Sequence, residues 1–166
     1  MRRTVTLSTA LALSLAAAST SSAEQRWEVG KPLPCSEMWV FELSREQLPG
    51  NAHTFHFSSK GKESDERFAQ GIRDGEADVM IDLIVTMLEK GAHDPVSVTL
   101  AGVPEILEPM LERLAARLQE KSLPHLSFLF VGPKSLEPKA RALIMERAAV
   151  FKYAEYAAPD CEAEVN

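Results

Sequence analysis

His56 and Ser58 lie two residues apart in the stretch His53 to Ser58, where apolar and polar residues alternate. On a strand they share a face, and a base beside a hydroxyl is the beginning of a nucleophilic hydrolase. The rest of such a site is not written in the sequence. No G-x-S-x-G turn surrounds either serine, and no acid is set at a spacing that would orient His56. His53 and His56, three apart on a strand, point to opposite faces and are no ligand pair. Nothing resembles H-E-x-x-H, so neither a metal nor a cofactor is expected. His93, before Pro95, and His125, at the head of an apolar run, read as structural or surface histidines.

Glycines and lysines follow the apolar runs at three places: Lys60, Gly61 and Lys62; Gly102; and Gly132, Lys134 and Ser135. If these runs are parallel strands, all three loops lie where α/β sheets usually bind ligands. Backbone amides and helix N-termini there would favour a phosphate or carboxylate. The pattern is not a P-loop, since Glu63 follows Lys62 where Ser or Thr should stand. Acids cluster between Glu63 and Asp82, with Asp74, Asp78 and Asp82 repeating every fourth residue. On one continuous helix they form a repulsive negative stripe, which a basic protein partner would offset or a break at Gly75 would relieve.

The elements that must position these residues begin after a leader. Met1 to Ala23 has Arg2 and Arg3, an apolar stretch around Ala10 to Ala18, and small residues before Ala23, as a cleaved signal peptide has. Removing 23 of the 166 residues leaves a chain of 143 with 16 basic and 24 acidic side chains, so the net charge moves from -6 to -8. That balance argues against a nucleic-acid binder. No later segment is apolar for long enough to span a membrane. Export makes a Cys35–Cys161 disulfide the expected state of the two cysteines. Closing so long a loop would stabilise the fold by about 4 to 5 kcal/mol.

Five strands are expected: Met38 to Leu43, His53 to Ser58, Val96 to Ala101, Leu126 to Val131 and an edge strand at Val150 to Tyr156. Helices are expected over Ser64 to Arg73, Ala77 to Lys90, from Pro104 or only from Pro109 to Leu118, and Glu137 to Ala149. The alternation predicts a single three-layer α/β domain with a mostly parallel five-stranded sheet and helices on both faces. A turn at Pro49-Gly50 would make the first strand antiparallel. The function expected is that of an exported, non-enzymatic interaction protein using an acidic surface: an envelope assembly or secretion accessory, or an inhibitor of a basic partner. The alternatives are an anion binder at the glycine loops and a hydrolase using Ser58 and His56. The periplasm is the expected destination, with full secretion as the other route open to such a leader, and oligomeric state is not readable.

Overall fold

The computed structural model of the chain describes residues 35 to 156, so the leader and Cys161 lie outside the described residues. The described residues open on a helix, α1 (Cys35–Gln47), followed by β1 (Ala52–Phe57), α2 (Lys62–Asp74) and α3 (Asp78–Glu89). Then come β2 (Val96–Gly102), α4 (Pro104–Arg117), β3 (Leu126–Gly132), α5 (Glu137–Met145) and β4 (Val150–Glu155). The four strands form one sheet in the order β1-β2-β3-β4, every neighbour parallel.

This corrects two expectations. Met38 to Leu43 is not an antiparallel strand but the middle of α1, and the sheet has four strands rather than five. Trp39, Phe41 and Leu43 alternate over only five residues, too short a window to separate period 2 from period 3.6. The longer helical register wins: Val40 and Ser44 are buried one turn apart, with Trp39 and Leu43 half-buried beside them, while Met38 and Phe41 are exposed. Glu37 in the first turn and Arg45 in the last suit the helix dipole. The other strands and helices fall within a few residues of their expected positions. Of the two starts weighed for α4 the first is taken, and the helix runs from Pro104 with Pro109 inside it.

Strand order equal to chain order has a geometric consequence. Right-handed crossovers that all step in one direction across the sheet deliver their helices to one face. Ile72 of α2, Ile81, Ile84 and Leu88 of α3, Leu107, Met110 and Leu114 of α4 and Ile144 of α5 accordingly pack in one cluster with Leu100, Phe128 and Phe130. Residues of opposite parity, Ala101, Leu129 and Val131, face the other way and pack against Val40 of α1. Register aligns that second face in rows: Thr54, Thr99, Leu129, Lys152, and then His56, Ala101, Val131, Ala154.

β3 is an interior strand and almost wholly buried, as its unbroken apolar run requires. β4 is an edge. Its Lys152 ammonium donates to the Gln47 carbonyl at the end of α1, tying that edge to the helix.

Candidate functional site

Parallel register brings the ends of β1, β2 and β3 to one edge of the sheet, so Lys60–Gly61–Lys62, Gly102 and Gly132–Lys134–Ser135 share that edge. They do not converge on one hollow. A cavity of about 370 Å³ is lined by Lys60, Gly61, Lys62, Glu63, Ser64 and Arg67, all from the first loop and α2. Within that loop, the amide an anion would seek is already engaged. Asp65, almost fully buried, accepts from the Lys60 amide at 2.9 Å and from the Ser59 hydroxyl at 2.5 Å. The two other glycines answer to packing. A Cβ on Gly102 would stand 2.5 Å from the Phe57 carbonyl oxygen, and one on Gly132 would stand 2.5 Å from the Phe130 ring.

His56 lies on the α1 face of β1, and its Nε2 is 2.9 Å from the Tyr156 hydroxyl. Tyr156 follows β4, with its amide bonded to the Gly132 carbonyl, and its side chain crosses the sheet over the row that holds Ala101. Trp39 of α1 meets the Tyr156 ring edge-on at 6.0 Å. Burial pulls the His56 pKa below the ordinary imidazole value, opposed by the nearby Glu37 carboxylate; burial also raises the Tyr156 phenol. His56 Nδ1 is buried without a hydrogen-bond partner among the described residues. A neutral imidazole whose Nε2 is committed to a phenol ties the two sheet edges together. Its hydrogen bond goes to Tyr156, not to Ser58. The sequence offered His56 but not its partner 100 positions away, and reading α1 as a strand hid Trp39 and Glu37.

The acidic run divides at Gly75, whose left-handed conformation (φ 87°) caps α2, so Asp74 and Asp78 stand on different helices. Asp74 accepts from Gln70 at 2.9 Å. Asp78 is held by Arg113 and by Arg117 at 3.2 Å, and Arg117 also reaches Asp82 at 3.2 Å. The Arg113 hydrogen bond, helped by both guanidinium charges, keeps the Asp78 carboxyl below the usual carboxylate range. Two of the three acids therefore pin α3 onto α4.

Between α2 and α3 runs an open groove of about 950 Å³. Phe68 and Gly71 form one wall and Ala77, Met80 and Leu83 the other. Arg67 stands on the α2 wall, while Glu76 and Asp82 stand on the α3 side. Val79 and Leu83 are 86% and 50% exposed, and Phe68 is 37% exposed. These three apolar side chains lie along one groove. The sequence did carry a signal for it: α3 has Val79 and Leu83 left over once Met80, Ile81, Ile84, Met87 and Leu88 have supplied its core stripe.

Among the described residues no helix is long and apolar enough to cross a membrane, and no three His, Cys, Asp or Glu side chains gather to hold a metal ion. Comparison with protein-family models, curated proteins and solved structures finds no match. Fold and site together define an α/β protein with a four-stranded parallel sheet and an apolar groove between two of its crossover helices.

Proposed function

We propose that this chain is an exported, non-enzymatic interaction protein that binds another polypeptide in the groove between α2 and α3. The observation that carries the reading is the exposure of Val79, Leu83 and Phe68 along that one groove. Two facing helical stripes, Ser64, Arg67, Phe68 and Gly71 against Val79, Met80, Leu83 and Thr86, suit an amphipathic helix lying between them. The flank of that helix beside Glu76 and Asp82 has to be basic, which keeps part of the acidic surface in the reading; Asp78 is occupied by Arg113 and Arg117, and Asp82 is shared with Arg117. The flank beside Arg67 has to be acidic.

Export rests on the leader, Met1 to Ala23, and the periplasm is the compartment we assign. The Cys35–Cys161 staple belongs to the same reading. What supports it is that Trp39, one turn after Cys35 in the sequence, packs on Tyr156, five residues before Cys161. A photoreactive residue in place of Thr86 should crosslink to a polypeptide in the exporting cell, while the same residue at the exposed Glu146 should not. Equal adducts at both positions, or none at Thr86, would exclude the groove as the docking site. The second reading, an anion binder, is favoured by Lys60, Lys62 and Arg67 lining one hollow. It requires phosphate to raise the melting temperature and Lys62→Ala to abolish that rise.

A further inference from the structure

The groove takes a helix with exposed apolar anchors at i and i+4, a basic group to meet Asp82 and an acidic group to meet Arg67. The chain itself displays those groups on the same patch, the apolar anchors and the acid on α3 and the basic group, Arg67, on α2 beside it. Val79 and Leu83, one turn apart on α3, are at once the α3 side of the groove and a projecting ridge, Val79 being 86% exposed. Arg67 stands on one wall and Asp82 and Glu76 on the other. A surface that holds both knob and hole, and both signs of charge, is complementary to itself under a two-fold axis, as an isologous interface must be.

Resting on the groove reading of the function, we infer that the helix which fills the groove is α3 of a second copy of this chain. The two α3 helices run antiparallel across the axis, with Leu83 against Leu83 at the centre and Val79 of each copy toward Thr86 of the other. Arg67 of each copy then faces Asp82 of the other, whose Oδ1 stays with Arg117 of its own chain at 3.2 Å while Oδ2 meets the incoming guanidinium. Arg67 is free to turn, because its intramolecular partner is Glu63, and both side chains are largely exposed (77% and 90%). Such a pair contributes little to stability, so giving it up is inexpensive.

The Lys60–Lys62 hollow has its amide occupied by Asp65, and the His56–Tyr156 pair is already engaged as a tie between sheet edges.

The test is sedimentation of the protein expressed from its full reading frame, from about 1 to about 200 µM, the range in which modest interfaces associate. The expected result is a shift from monomer to dimer mass across that range. Leu83→Asp should remain monomeric throughout while melting like the parent, since Leu83 is half-exposed. Arg67→Glu should weaken association by roughly tenfold or more, and adding Asp82→Arg with Arg117→Gln, which removes the cation that Asp82 meets in its own chain, should restore it, because the swap regenerates both pairs across the axis. A parent protein that stays monomeric, or a dimer indifferent to Leu83→Asp, overturns the inference. The Thr86 crosslink separates the two levels. A monomeric parent that still crosslinks from Thr86 to a different polypeptide refutes the second copy and leaves the groove reading standing. A monomeric parent with no crosslink refutes both.

Discussion

Thr99→Val should stabilise the protein. Thr99 is fully buried in the middle of β2 on the face that α1 covers, in the row with Thr54 and Leu129, and its hydroxyl has no hydrogen-bond partner among the described residues. The polar chain beside it ends before reaching it: the Ser44 hydroxyl donates to the Val40 carbonyl at 2.7 Å, and Thr54 reaches Ser44 at 3.5 Å. A buried hydroxyl left unsatisfied costs about 1 to 3 kcal/mol. Valine keeps the shape and the β-branch that the strand favours, and exchanges that hydroxyl for a methyl group worth about 0.8 kcal/mol when buried. The expected gain is about 1 to 2 kcal/mol after some loss to imperfect fit. For a domain of this size that raises the melting temperature by about 3 to 8 °C. Urea unfolding should show a higher midpoint with an unchanged slope, which separates a stability change from a change in the denatured state. Thr99→Ser, which keeps the hydroxyl and loses the methyl, should instead destabilise. If Thr99→Val destabilises, the hydroxyl has a partner under α1, such as a buried water, and the account of that interface is wrong.

Three further outcomes are expected. Gly102→Ala should destabilise by about 2 kcal/mol or more, since its Cβ would meet the Phe57 carbonyl at 2.5 Å on a backbone with φ of +154°; a melting temperature equal to the parent's would contradict the packing role given to this glycine. Because burial holds the His56 pKa below the 6.5 of a free imidazole, the unfolded chain takes up that proton first. Its contribution to stability is therefore complete above about pH 6.5 and is lost as the pH falls below it, and His56→Gln should flatten the fall in urea midpoint between about pH 7.5 and pH 5.5. Arg147→Ala should cost about 3 kcal/mol by orphaning the Leu118 and Leu143 carbonyls that its buried guanidinium bonds, measurable as a loss in urea midpoint with the sheet's circular dichroism retained at low temperature.

The strands were legible because each is a short alternating or unbroken apolar run closed by a turn signal, and their parallel order followed from the helices between them. α1 was not, because Trp39 and Leu43 fit both periods and only burial shows Phe41 turned outward. The glycines after β2 and β3 were legible as positions but not as reasons: that Gly102 admits the Phe57 carbonyl depends on which strand lies beside it. His56 could be nominated from its type and spacing, whereas its bond to Tyr156 depends on a side chain crossing the sheet over Ala101. The acids Asp78 and Asp82 read as free surface because the arginines that hold them are more than thirty positions downstream on α4. The groove needs the relative placement of two helices, information that no single periodicity contains.

The plain order of the sheet bears on how the molecule is made. Each strand pairs only with the strands that precede and follow it in the chain, so no strand has to be inserted between two already in place. A chain emerging N-terminus first can add β2 to β1, β3 to β2 and β4 to β3, always at the growing margin. In such an accretion the contact between Tyr156 and His56 is the last to form, since it needs both edge strands in place.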